Sequence, residues 1–175
     1  MNTLSGGSTT HAPEYYMHLA LREAEKAARK GETPVGAVLV RRQDGTVLAK
    51  GHNLREIRKD PTCHAEIEAI RKGSRKLRDW RLNDCDLYVT LEPCAMCAGA
   101  ILQARVGRLF YGAADPKAGA AGSLTDLFSV HGFNHRVDVT GGILADACAA
   151  VLKKFFAFLR KPLCDIVTDK SGRLL

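Results

Sequence analysis

The spacing of apolar positions predicts that the chain opens with a helix and a β-hairpin. Apolar residues recur at three- and four-residue intervals from Met17 to Ala28, which predicts a helix that ends near Gly31. Two short apolar runs follow at 36–40 and 46–51. The Asp44-Gly45 pair between them favours a tight turn, so the two runs are predicted to form a hairpin.

The rest of the pattern predicts helices and strands in alternation. The predicted elements are a helix over 64 to about 76, a buried strand over 86–91, a helix over 94–105, a strand over 108–112 and an edge strand over 136–139. The apolar face of a closing helix contains Cys148, Val151, Leu152, Phe155, Phe156 and Leu159. Strands that alternate with helices imply parallel pairings, so we predict a three-layer α/β/α fold with a mixed central sheet of about five strands.

The two ends of the chain differ in composition from its middle. Residues 1–13 are polar and rich in glycine, serine and threonine, so we predict a flexible tail, a single domain over 14–160 and a C-terminal extension over 161–175. The tail lacks the basic start and apolar run of a signal peptide, and no apolar stretch is long enough to span a bilayer. We therefore expect a cytoplasmic protein without a membrane partner, whose cysteines are reduced.

The charge of the chain points to a polyanionic partner. Its 26 Lys and Arg residues exceed its 19 Asp and Glu residues, for a net charge of +7. The excess is concentrated in residues 55–81, with nine basic and five acidic residues, and in residues 151–175, with six and two. A basic excess of this kind is typical of nucleic-acid binding, although solvated helix faces would account for it equally well.

A histidine and two cysteines have the spacing of metal ligands. Cys94 and Cys97 are three residues apart at the start of a predicted helix, so they share one face, and Pro93 favours a helix start there. With His64 they make a ligand set that suits Zn²⁺. Three protein ligands leave one tetrahedral position for water, so we predict an open, catalytic zinc site.

Other interpretations of these residues remain open at this stage. The two cysteines also fit a redox pair, and His64 fits an ordinary hydrogen-bonded histidine. A closed structural zinc site would need one more cysteine from Cys63, Cys85, Cys148 or Cys164. We favour the open site because Cys63 is adjacent to His64, which makes joint ligation awkward, and the others lie in apolar or terminal contexts.

Three glutamates near these ligands receive different predictions. Glu66 follows His64 by two residues and can flank the metal in the first helical turn. Two thiolates neutralise the charge of Zn²⁺, so such a site needs a nearby base, and Glu66 is the predicted proton carrier. Glu68 is predicted to lie at the surface, and Glu92 is predicted to be a capping or packing carboxylate.

The motifs H-A-E and P-C-x-x-C together match the signature of zinc nucleobase deaminases. Within that class the chain resembles the bacterial tRNA-specific adenosine deaminases. The resemblance covers most of residues 14–160 and is carried by PVGAVLV (34–40), DPTCHAEIEAI (60–70), LYVTLEPCAMCAGAI (87–101), DPKAGAAGSL (115–124), NHRV (134–137) and GGILADACAAVLKKFF (141–156).

The resemblance implies a cytidine-deaminase-like fold and a homodimer that acts on the anticodon arm of a tRNA. The implied reaction is hydrolytic deamination of the wobble adenosine, in an arginine-type tRNA, to inosine. His64, Cys94 and Cys97 would hold one zinc ion per subunit, and Glu66 would move protons between water and the adenine. Asn53, Asp115 and Lys117 match substrate-binding positions of the family.

The chain also departs from the family at several positions. Ala157 and Leu159 stand where basic residues are common, Arg55 replaces a frequent proline, and Cys63 replaces a common alanine. Two alternative functions remain, because the zinc and glutamate chemistry is common to deaminases of different substrates and a zinc site can also be purely structural. One is deamination of a free base or small nucleotide of the guanine or cytosine type, and the other is a non-catalytic RNA-binding domain with structural zinc.

Overall fold

A computed structural model describes residues 11–160, in which five helices and five strands form a mixed α/β fold. The elements, in chain order, are α1 (Pro13–Arg29), β1 (Gly36–Arg41), β2 (Val47–His52), α2 (Arg55–Arg58), α3 (Ala65–Leu77), β3 (Cys85–Leu91), α4 (Ala95–Gln103), β4 (Arg108–Ala113), β5 (Asp138–Thr140) and α5 (Ala145–Leu159). Among these residues no helix has both the length and the apolar character needed to cross a bilayer.

The five strands form one sheet in the order β2-β1-β3-β4-β5. Strand β1 pairs antiparallel with both β2 and β3, whereas the pairs β3-β4 and β4-β5 are parallel. Parallel neighbours need a crossover, and α4 supplies the one between β3 and β4. The predicted mixed five-stranded sheet is therefore confirmed.

Helices cover both faces of the sheet, because successive side chains of each strand point to opposite sides. On β1, Leu39 belongs to one core cluster together with residues of α3 and α4, whereas Val38 and Val40 belong to a second cluster together with residues of α1 and with Cys148 of α5. The predicted three-layer arrangement is confirmed, and Cys148 is the small core residue that its context indicated.

Most predicted elements are present with ends that differ by one to four residues. The hairpin between β1 and β2 closes through Asp44 and Gly45, and the φ of +70° at Gly45 explains the preference for glycine. Helix α1 ends just before Gly31, which has a φ of +75°. The short helix α2 was not predicted, because four residues are too few to show a periodic pattern.

One sequence-based prediction is wrong. Glu68 is not at the surface but only 3% exposed, because α2 brings the Arg58 guanidinium to within 2.6 Å of its carboxylate. The predicted apolar face of α5 is covered only in part, since Cys148 is buried whereas Phe156 and Leu159, near the end of the helix, are 43% and 59% exposed. The C-terminal extension and most of the N-terminal tail lie outside the described residues, so the proposed domain limits stay predictions.

Candidate active site

The three predicted metal ligands meet where two helices begin. His64 directly precedes α3, Cys94 directly precedes α4, and Cys97 lies in the first turn of α4. The Nδ1 atom of His64 is 3.7 Å from the sulfur of Cys94 and 3.5 Å from that of Cys97. The ligand atoms of the three side chains all lie within 4.8 Å of one another. Among residues 11–160, this cluster is the one that could hold a metal ion.

The spacing of these atoms fits Zn²⁺. Zinc lies about 2.3 Å from cysteine sulfur and about 2.0 Å from histidine nitrogen in a tetrahedral arrangement, so a sulfur and a nitrogen on one ion are about 3.6 Å apart. The two observed distances, 3.7 and 3.5 Å, bracket that value. The cluster therefore fits a zinc ion with three protein ligands.

The surroundings of Cys94 favour the thiolate form that zinc needs, whereas the hydrogen bond with Cys94 and burial raise the pKa of the Cys97 thiol. Hydrogen bonds from Cys97 and His64 lower the pKa of the Cys94 thiol to about 3. Of the cysteines considered for a fourth ligand, Cys63 is instead 3.3 Å from a carboxylate oxygen of Asp60, and Cys85 and Cys148 lie in the core. Cys164 lies outside the described residues.

Glu66 lies inside the protein next to this cluster. It is the second residue of α3 and is only 4% exposed. Burial raises the pKa of its carboxyl group to about 7, against an ordinary value of 4.5. Helix α3 is held at this depth by close packing on β2, where a methyl group at Gly51 would overlap the carbonyl oxygen of Ala65.

A cavity of about 200 Å³ opens beside His64 and Glu66. It is lined by Thr33, Val35, Asn53, Arg55, His64, Ala65, Glu66, Leu91, Glu92, Cys94, Asp115 and Ala118. The predicted substrate-binding residues Asn53 and Asp115 are therefore brought to the same cavity as the metal ligands. Lys117 lies on the same loop as Asp115 but is exposed and outside the cavity wall.

A buried carboxylate orients Asn53. The side-chain nitrogen of Asn53 donates to Glu32 Oε2 at 3.1 Å, and the backbone N–H of Ile57 donates to Glu32 Oε1 at 2.8 Å. Glu32 is fully buried. Because its carboxylate accepts from the amide nitrogen of Asn53, the amide oxygen is turned away from it. No local pattern marks Glu32 in the sequence, since its partners lie more than twenty residues further along.

A second buried carboxylate holds the loop that carries Asp115. Glu92 is 2% exposed and accepts backbone hydrogen bonds from Asp115 at 3.0 Å, Ala121 at 2.9 Å and Ser123 at 3.0 Å, together with one from the Ser123 hydroxyl. The backbone N–H of Ala120 also donates to Pro93 O at 2.8 Å. Glu92 is the packing carboxylate that was predicted. Its hydrogen bonds connect this loop to the segment that carries Cys94.

A mixed sheet between two helix layers, a His-Cys-Cys cluster at two helix starts and a buried glutamate beside a cavity define a nucleobase deaminase of the cytidine-deaminase-like class. The MafB19-like deaminase family matches residues 12–160. The chain is 47% identical over 148 residues to a tRNA-specific adenosine deaminase of Bacillus subtilis (strain 168), covering 85% of this chain and 91% of that one. It is 49% identical over 144 residues to a tRNA-specific adenosine deaminase of Haemophilus influenzae, covering 82% of each chain.

Solved structures agree with this relationship. One from work on A-to-I editing by tRNA:A34 deaminases at the wobble position is 46% identical, with a TM-score of 0.73, and covers 79% of this chain and 99% of that one. A guanine deaminase from Nitrosomonas europaea is 26% identical, with a TM-score of 0.71, and covers 83% of this chain and 85% of that one. The chain belongs to the family of tRNA-specific adenosine deaminases.

Proposed function

We propose that this protein deaminates the wobble adenosine of a tRNA anticodon to inosine. The observation that carries the proposal is the joint placement of Glu66, the His64-Cys94-Cys97 cluster and one cavity in a chain 47% identical to a tRNA-specific adenosine deaminase. In the reaction the oxygen of a water molecule bonds to C6 of the adenine, the bond between C6 and the amino nitrogen breaks, and ammonia leaves.

Metal binding, proton transfer and substrate binding fall to different residues of this chain. His64, Cys94 and Cys97 hold Zn²⁺, which when bound supplies Lewis-acid activation of water. Glu66 accepts the first proton of the attacking water and passes it to N1 of the adenine, and it then moves the second proton, from the hydroxyl group now on C6, to the leaving amino group. Its burial supports this role, because bulk water is kept from the carboxyl group that carries the proton. Asn53 and Asp115, in the cavity wall, bind the target nucleotide.

The substrate is an RNA loop rather than a duplex. Unpaired loop bases are easily turned out of the stack and into a pocket, and a net charge of +7 favours a polyanion. We further propose an arginine-type tRNA as substrate, as the family resemblance implies.

The test is conversion of adenosine to inosine in a synthetic anticodon stem-loop with one wobble adenosine, using protein that contains one zinc per chain. Inosine at that position is the expected product. The matched control is Glu66→Ala, which should nearly abolish product while zinc content and the unfolding transition stay close to those of the wild type. Turnover retained in Glu66→Ala would contradict the proton-carrier role.

Deamination of a free base is the second candidate, favoured by the TM-score of 0.71 to a guanine deaminase. The two candidates differ in salt dependence, because only binding to a polyanion releases many counterions. Loss of activity on the stem-loop as salt rises supports the tRNA function. Guanine turnover without inosine formation would favour the alternative.

We also infer that the protein acts as a homodimer in the cytoplasm. Large apolar side chains are exposed on α4 and on the loop that follows β4, where they offer an apolar contact surface: Met96, Leu124, Val130 and Phe133. Light scattering of the purified protein should give twice the mass of the 175-residue chain. A monomer at micromolar concentration would contradict the inference.

A further inference from the structure

Arg55 stands at the rim of the cavity with its guanidinium unengaged. It is exposed and lines the cavity together with Asn53 and His64. Within residues 11–160 its side chain forms no hydrogen bond and no ion pair, whereas its backbone carbonyl accepts from the N–H of Asp60 at 3.2 Å. The two other basic residues between 55 and 59 have acidic partners, since Arg58 pairs with Glu68 at 2.6 Å and Lys59 pairs with Glu56 at 3.6 Å.

The backbone beneath Arg55 is fixed even though its side chain is free. Glu32 accepts from the side chain of Asn53 on one side of Arg55 and from the backbone of Ile57 on the other. Both anchors converge on one fully buried carboxylate. A guanidinium on a fixed backbone loses less conformational entropy on binding than one on a mobile loop.

The chemistry of this position matches a phosphate group. Guanidinium offers five N–H donors in a planar fork and binds phosphate oxygens in pairs. Three acidic residues line the same cavity, namely Glu66, Glu92 and Asp115, and none of them is hydrogen-bonded or ion-paired to Arg55 in the described part of the chain. Glu92 accepts from backbone N–H groups of the loop that carries Asp115, and Asp115 accepts from the backbone N–H groups of Lys117 and Ala118 at 3.0 and 3.3 Å. An anion bound by Arg55 therefore comes from the substrate.

We propose that Arg55 binds the phosphate attached to the ribose of the target adenosine and so selects nucleotides over free nucleosides and bases. The proposal rests on the proposed deaminase function, and it names the part of the substrate that the rim recognises. Two molecules carry this chemistry, the phosphodiester of an RNA chain and the phosphate of adenosine 5′-monophosphate.

The experiment compares Arg55→Ala, Arg55→Lys and the control Lys59→Ala on the stem-loop, adenosine 5′-monophosphate and adenosine. Lys59 is a suitable control because it carries the same charge four residues away, outside the cavity wall, with a side chain 81% exposed. Arg55→Ala should raise KM for the stem-loop about tenfold, since one hydrogen-bonded charge contact is lost. Arg55→Lys should raise KM less, and Lys59→Ala should leave it within about twofold, as a distant exposed charge does.

The salt dependence gives a second readout. Loss of one contact to a single-stranded phosphate should reduce the slope of log affinity against log salt by about 0.7 in Arg55→Ala. An equal rise in KM in Arg55→Ala and Lys59→Ala would show a diffuse charge effect and overturn the proposal. If Arg55→Ala raises KM only for adenosine 5′-monophosphate, Arg55 does bind a phosphate group, but that phosphate belongs to a mononucleotide and not to an RNA chain.

Binding without turnover separates this proposal from the proposed function. Anisotropy of a labelled stem-loop is measured with Glu66→Ala and with the same variant carrying Arg55→Ala. Weaker binding by about tenfold in the double variant supports the contact whether or not the wild type forms inosine. Equal binding by the two variants would overturn the role of Arg55, even if the wild type is an active deaminase.

Discussion

Glu92→Gln is the substitution that most directly tests how the substrate loop is held. The side chain keeps its size, but one carboxylate oxygen becomes an NH₂ group. Oε1 accepts from the backbones of Ala121 and Ser123, and Oε2 accepts from the backbone of Asp115 and from the Ser123 hydroxyl. The hydroxyl can turn and accept a hydrogen bond, so the NH₂ group is best tolerated at the position of Oε2. The N–H of Asp115 then faces another donor.

The expected loss in the free energy of unfolding follows from these four hydrogen bonds. One hydrogen bond to a charged group, worth about 1.5–3 kcal/mol, is lost outright, and the remaining ones become neutral and weaker. We expect Glu92→Gln to lower the free energy of unfolding by about 2–4 kcal/mol. The graded control is Ser123→Ala, which removes only the hydroxyl hydrogen bond and should lower the free energy of unfolding by about 1.5 kcal/mol, the low end of the range for one hydrogen bond to a charged group, because Ser123 is exposed.

The assay is urea unfolding of zinc-saturated protein, with hydrogen exchange read at the amides of Asp115, Ala121 and Ser123. Faster exchange at these amides should accompany the loss of stability, and zinc content should not change because Glu92 is outside the ligand cluster. A change below about 0.5 kcal/mol, the size typical of a surface substitution, would refute the reasoning. So would unchanged exchange of the loop.

The same variant has a defined pH dependence. Burial opposes ionisation of Glu92, but the hydrogen bonds from Ser123, Asp115 and Ala121 outweigh it and hold the pKa below the ordinary value of 4.5. A lowered pKa in the folded state means that the stabilisation is present above pH 4.5 and is lost as the pH falls through the folded pKa. The difference in stability between wild type and Glu92→Gln should therefore shrink below pH 4.5.

Two further substitutions test the metal cluster and the packing behind it. Atomic absorption should show that Cys94→Ala has lost its zinc. The control Cys85→Ala changes a core cysteine outside the cluster and should retain zinc. Unchanged zinc content in Cys94→Ala would mean that the ligand set is different. Gly51→Ala should lower the free energy of unfolding by about 1–3 kcal/mol, because the added methyl overlaps the carbonyl oxygen of Ala65 and pushes α3 off β2. Gly99→Ala meets no atom within 4 Å and should be neutral or slightly stabilising, so equal losses in the two variants would contradict this packing argument.

Residues that act through local spacing were accessible from the sequence. Cys94 and Cys97 share a face because one helical turn joins them, and the H-A-E motif places Glu66 in the first turn of the same helix that His64 precedes. Their meeting across thirty residues was inferred from the chemistry of zinc ligands and from a known signature. The structure places them within one cluster, and their roles stay predictions until the variants are measured.

Residues that act through distant partners were not accessible. Glu68 is charged and was expected in solvent, yet the unpredicted helix α2 covers it with Arg58. Glu32 has no periodic context and becomes meaningful only when folding brings Asn53 and Ile57 to its two oxygens. A carboxylate is stable inside a protein only when such partners offset the free-energy cost of removing it from water. When the partners are distant in the sequence, no local pattern reveals the buried carboxylate.

The sequence by itself therefore determined the strands, the helices other than α2 and the identity of the reactive side chains, because these depend on backbone periodicity and on the chemistry of single residues. The tertiary structure alone decided the depth at which Glu66 lies, the closure of the cavity by Asn53, Arg55 and Asp115, and the anchoring of its walls on Glu32 and Glu92. These features depend on hydrogen bonds and contacts between segments far apart in the chain, which form only when the helices pack on the sheet.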